Sequence, residues 1–218
     1  MVQEFTWNSV LYLVLATRWT LLLAAVAFVG GAVGGTLVTV ASVSRTKAVR
    51  FTASGFVQIV QGIPLLMLLF MSYFGVSLLG FRVDAWISVS LALTLFSSAF
   101  LGDIWSSSVR TVNRGQWEAA KSLALNHTDT LRFVIFPQAV RIGVPPTVGF
   151  LVQLIKGTAL ASIVGFVELT RSGQVLNNLT FKPFTIYLIV AAIYFVMCWP
   201  ISLWSRWLEA RLARPFTR

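Results

Sequence analysis

The sequence predicts an all-α integral membrane protein with about five transmembrane helices, on three observations. The 218-residue chain is 57% apolar and only 11% charged, with a mean hydropathy of +0.81, a balance far from that of soluble domains. Five stretches are apolar for the roughly 20 residues that a helix needs to cross a hydrocarbon core. The basic residues fall mainly in the gaps between those stretches rather than on one patch. The net charge of +10 is therefore read as membrane topology, and nucleic acid is excluded as a partner.

The spans are expected at Trp19–Val43, Phe56–Phe81, Ala85–Ile104, Ile142–Val167 and Phe184–Trp204. Residues before Trp19 are amphipathic, with Trp7 and Tyr12 suited to an interface, and are read as a short surface helix. The first basic residue is Arg18, so the start lacks the positive n-region of a cleavable signal, and the first span reads as a retained anchor. That span carries Gly30-Gly31 and Gly34-Gly35, two overlapping Gly-xxx-Gly pairs that let backbones approach closely, within the chain or against another subunit. The second span contains Gly62 and Pro64. Proline removes a backbone donor, so Pro64 is the best candidate for a break facing a pathway. Pro137, Pro145 and Pro146 fall within or beside the fourth span as kinks or breaks. The fifth span holds Cys198, the only cysteine, which reads as a buried structural thiol.

Between the third and fourth spans the chain turns polar. Residues 115–137 read GQWEAAKSLALNHTDTLRFVIFP. Gly115 breaks what precedes, and residues 117–125 are good helix formers with apolar positions at helical spacing. A charged helix between two spans must sit in water at the membrane face. Loop charges orient it. Arg45, Lys47 and Arg50, then Arg110, Arg114, Lys121 and Arg132, then Arg206, Arg211, Arg214 and Arg218 share one side. Arg18, Arg82, Arg171 and Lys182 mark the other. Positive residues favour the cytoplasm, so the N-terminus is expected outside, with the C-terminus and Glu118 inside.

Several segments resemble the permease subunits of ABC importers for polar amino acids. The loop pattern in that family is Glu-Ala-Ala, a Gly after three intervening residues, and later Ile-x-Leu-Pro. Here Glu118, Ala119 and Ala120 match, Ala124 holds the Gly position, and the later part reads Ile135-Phe136-Pro137. Gln61-Gly62-Ile63-Pro64-Leu65-Leu66 resembles the family's Gly-Thr-Pro-Leu segment. Residues Ser97 to Ile104, with Asp103, resemble Ser-Ala-Ala-Tyr-x-x-Glu-Ile. Lys156-Gly157-Thr158-Ala159-Leu160-Ala161-Ser162 resembles Lys-Asp-Thr-Ser-Leu-x-Ser, and Glu168-Leu169 stands where the family often has Glu-Leu.

The resemblance covers most of the chain. It implies one permease domain over residues 1–218 with the type I importer (MetI-like) fold, a coupling loop over about residues 105–138, and a place in a bacterial inner membrane. It further implies a permease dimer, with itself or a similar subunit, an ATPase subunit gripping the loop helix from inside, and a solute-binding protein outside. The expected grip is Gly115, Trp117, Glu118, Ala119, Ala120, Lys121, Leu123, Ala124 and Leu125. In this reading Trp117, Leu123 and Leu125 are apolar anchors, and Ala124 allows close approach.

Polar groups within spans are the candidates for a substrate path: Gln61, Pro64, Ser97, Ser98, Asp103, Gln153, Lys156, Thr158, Ser162 and Glu168. An amino acid needs an acceptor for its ammonium and donors for its carboxylate. The acids serve the first, and Lys156 or hydroxyls the second. An ion at the depth of Lys156 costs about 3 kcal/mol on insertion scales, so it is expected to face protein, a polar cavity or a carboxylate.

No nucleotide site is expected in the chain. GFLVQLIKGT over residues 149–158 has Lys-Gly-Thr where a phosphate loop needs Gly-Lys-Ser/Thr, so ATP and magnesium belong to the partner. One histidine, His127, and one cysteine make no metal cluster, and no Gly-x-Ser-x-Gly nucleophile occurs. A lipid-acting membrane enzyme is thereby disfavoured. The residues alone leave open a stand-alone channel or secondary carrier, although no internal repeat supports a carrier of inverted halves.

Overall fold

Long apolar segments with few breakers make long helices, and a computed structural model of the chain describes residues 4–80 and 83–213. Helix α1 runs Trp7–Ser42 without interruption. The expected separate surface helix is absent: residues 7–18 hold no Gly or Pro to end a helix, so they form its first turns. At ~54 Å, α1 overshoots a hydrocarbon core of ~30 Å.

The second span is broken. Helix α2, Lys47–Gly62, and helix α3, Leu65–Leu78, meet at 99°. Pro64 causes this, because it drives Ile63 into extended backbone (φ −98°, ψ 129°) and offers no N–H of its own. Phe81 and Arg82 lie outside the described residues, as do Arg214 and Arg218. Helix α4, Ala85–Thr111, starts where Asp84 accepts from the Trp86 N–H at 2.8 Å, and runs seven residues past its expected end. Helix α5, Arg114–Ser122, is capped by Asn113, whose side chain accepts from the Gly115 N–H at 2.8 Å. Gly115 therefore lies in the first turn of α5 rather than at a break.

Helix α6 spans His127–Val164, starting well before the expected Ile142. It includes a π-helical stretch over Thr130–Ile135 and a 3₁₀ tail over Thr158–Val164, and it ends at Gly165, whose φ of 85° suits glycine. Pro145 and Pro146 do not break it. Helix α7, Leu169–Thr180, was not expected. Helix α8, Pro183–Ala213, completes the fold, with Cys198 buried as expected. Helices α1, α4, α6 and α8 are each long and apolar enough to span a membrane. The bent α2–α3 pair makes a fifth crossing if it counts as one.

Helices α1 and α4 run parallel along a seam of small residues. A Cβ added at Gly30, Gly31, Gly34 or Gly35 would strike Thr94, Ser97, Ser98 or Leu101 respectively, so the Gly-xxx-Gly pairs serve packing within the chain. Leu23, Leu69, Leu93, Phe96, Phe150 and Leu154 fill the core where α1, α3, α4 and α6 meet.

Candidate functional site

The loop helix α5 sits between the ends of α4 and α6, and its two faces differ. Ala120 is buried. Trp117 is half-buried against the cluster of Val109, Val112, Ile135 and Ala139, with its ring 6.3 Å from that of His127 at 28°. Gln138 Nε2 donates to Gln116 Oε1 at 3.1 Å, a second tie between α5 and α6. Trp117, expected as an anchor for a partner, is thus turned to its own chain, and Leu125 is half-buried. Gly115, Glu118, Ala119, Lys121, Leu123 and Ala124 remain exposed.

The helix stops at Ser122 because the backbone folds into a Schellman turn. The N–H of Ala124 reaches the Lys121 carbonyl (2.9 Å), and that of Leu125 reaches the Ala120 carbonyl (3.1 Å). Ala124 has φ 54°, in the left-handed region. The Gly position of the loop pattern thus falls on a backbone demand that the expectation of close approach did not include, and Ala124 meets it with a Cβ in place.

The span candidates fall into separate settings. Ser97 and Ser98 are buried in the α1–α4 seam, where Ser98 Oγ donates to the Thr94 carbonyl and Ser97 Oγ has no partner among the described residues. Thr158 Oγ1 donates to the Ile155 carbonyl and Ser162 Oγ to the Ala159 carbonyl, each at 2.7 Å. Gln61 Nε2 donates to Asp103 Oδ2 at 3.4 Å, tying α2 to α4 beside the exposed Pro64. Gln153 and Lys156 lie exposed one turn apart on α6.

Glu168, in contrast, is fully buried at the N-terminus of α7. Its Oε1 accepts from the Arg171 N–H (2.8 Å). Its Oε2 accepts from the hydroxyls of Tyr194 (2.8 Å) and Thr20 (3.4 Å). Thr20 Oγ1 in turn accepts from the Leu169 N–H at 3.1 Å. Both carboxylate oxygens are engaged by neutral donors, so the network clamps α7 to α1 and α8. Thr20 and Tyr194 escaped the sequence reading, and Arg171 entered it only as a topology charge. The signal was present as an acidic cap before an amphipathic stretch that ends at Phe181, in left-handed backbone, and Pro183.

Residues 31–214 match the family model described as the binding-protein-dependent transport system inner membrane component. The chain is 32% identical over 202 residues to the probable amino-acid ABC transporter permease protein YckA of Bacillus subtilis (strain 168), covering 93% of this chain and 89% of that one. It is 34% identical over 216 residues to the octopine transport system permease protein OccQ of Rhizobium meliloti, covering 93% and 91%. The crystal structure of an amino acid ABC transporter with histidines superposes with a TM-score of 0.88 at 30% identity, covering 96% of this chain and all of the matched one. A methionine transporter structure, MetNI in an inward-facing conformation, shares the fold at a TM-score of 0.72 and 21% identity.

Proposed function

The chain belongs to the binding-protein-dependent transport system inner membrane component family, and from that premise we propose that it carries a polar amino acid inward by alternating access, driven by a separate ATPase. The observation that carries this reading is α5. It is a short helix, stiffened against α4 and α6 by Trp117 and Ala120, with Glu118, Ala119 and Lys121 left exposed. A rod held firmly on one face and free on the other transmits displacement from a partner to the spans. Two ATPase subunits would bind there and hold the nucleotide and magnesium. A solute-binding protein would deliver substrate at the opposite face, where α7 lies. The excess of Arg and Lys on the α5 side orients that side to the cytoplasm, with the N-terminus outside.

Relatives named for octopine and for L-cystine transport favour an amino-acid or amino-acid-derived substrate. The exposed pair Gln153 and Lys156 supplies donors suited to a carboxylate. The Glu118→Arg variant tests the coupling role. In vesicles with the ATPase and binding protein, it is expected to cut ATP-driven uptake at least tenfold while the chain still inserts and folds. Normal uptake and normal ATPase binding would refute it, and uptake by the chain alone, indifferent to ATP, would establish a carrier.

A further inference from the structure

A groove of about 370 Å³ opens between α1, α4 and α6, walled by Thr36, Thr39, Trp105, Phe136, Val140 and Thr147 among others. Every polar group of these six side chains is already spent inside the protein. Thr36 Oγ1 donates to the Ala32 carbonyl (2.8 Å) and Thr39 Oγ1 to the Gly35 carbonyl (2.7 Å). Trp105 Nε1 donates to Thr147 Oγ1 (2.8 Å), which itself donates to the Gly143 carbonyl (2.7 Å). An ordered water needs two to four polar partners, and this wall offers none. An unfilled space of this size would forfeit dispersion contacts along all three helices. Its rims are apolar and open to the surroundings: Val40 and Val140, which wall it, are 55% and 60% exposed.

Two exposed arginines flank one end of the groove along the chain. Phe136 lies one turn beyond Arg132, whose guanidinium stands over the Phe133 ring at 5.3 Å. Val43 packs beside Ile135 at this end, and the exposed Arg45 follows two residues later. Hydrocarbon walls with cations at one mouth are complementary to an anionic phospholipid. We propose that this groove is a lipid site, which takes an acyl chain along Thr36, Trp105 and Val140 and holds the phosphate near Arg45 and Arg132. The groove shares Val109 and Ala139 with the cluster that holds Trp117, so it lies beside the buried side of α5 and not on the exposed face; it does not include Gln153 or Lys156, and it stands whether or not the transport reading does.

Trp105 makes the site measurable. The chain, purified with its companion subunits, is placed in nanodiscs with chain-brominated phosphatidylglycerol or chain-brominated phosphatidylcholine. The fluorescence difference between the parent and its Trp105→Phe variant isolates the Trp105 signal. That signal is expected to be half-quenched at a mole fraction of phosphatidylglycerol at least threefold below that of phosphatidylcholine. The double change Arg45→Gln and Arg132→Gln removes the preference while quenching persists, and Val140→Phe, which fills the groove, weakens quenching by both lipids. Identical curves for the two lipids in the parent protein would overturn the proposal, since the groove would then hold bulk hydrocarbon only. A Trp105 signal untouched by either lipid would overturn it too, as expected if a protein subunit covers the groove.

Discussion

At the scale of single residues, two positions carry local demands that substitution can reveal. Ala124 holds left-handed backbone in a turn that glycine enters without a Cβ clash. Ala124→Gly is expected to stabilise the α5 turn by about 1 kcal/mol, and Ala124→Val to destabilise it by more, because a β-branched side chain fits that region worst. Thermal unfolding of the detergent-solubilised chain reads both. Glu168 is the second position. Removing its carboxylate strands the N–H of Arg171 and the buried hydroxyl of Thr20, and leaves the Tyr194 hydroxyl with Thr170 alone. Glu168→Ala is therefore expected to cost about 3 kcal/mol, and Tyr194→Phe, which deletes one donor, about 1 kcal/mol. If both leave the unfolding temperature unchanged, the network does not clamp α7.

At the scale of elements, the α1–α4 seam makes a sharp contrast among glycines. A Cβ at Gly31 would collide with Ser97, including its backbone, whereas one at Gly55 on α2 meets nothing. Gly31→Ala is expected to destabilise by about 1–3 kcal/mol through overpacking. Gly55→Ala should stabilise by roughly 0.5–1 kcal/mol through helix propensity. Matching shifts in the two unfolding temperatures would show that the seam is not tight. The seam also shows what the sequence made legible. Apolar length located α1, α4, α6 and α8, because a bilayer demands it, and Pro64 marked the break of the second span. Helix ends were misplaced where polar but helix-compatible residues continue a span, as at residues 7–18 and 127–141. Helix α7 was hidden because twelve amphipathic residues between two apolar runs read as a loop. The loop helix was recognised by its Glu-Ala-Ala, but its faces were not. Which side Trp117 takes depends on Ile135 and Ala139, which only the folded chain brings beside it.

At the scale of the whole molecule, α6 carries a conflict that assembly would resolve. Lys156 is exposed on a helix that must cross hydrocarbon, one turn from the exposed Gln153. Facing lipid, that ammonium opposes insertion by about 3 kcal/mol. Facing a second permease subunit across a wet path, the same charge is solvated and becomes available to a substrate carboxylate. Lys156→Met separates the two situations, since it keeps an unbranched chain and removes the charge. In an insertion reporter the isolated α6 segment should improve by about 3 kcal/mol when Lys156 becomes Met. In the assembled transporter the same change is expected to lower uptake at least tenfold, with ATPase binding intact because α5 is untouched. Better insertion together with poorer transport would identify Lys156 as a charge retained for the path at the expense of the span. Better insertion with unaltered uptake would show that the path runs elsewhere, and would leave Lys156 as a group that merely reaches toward the membrane surface.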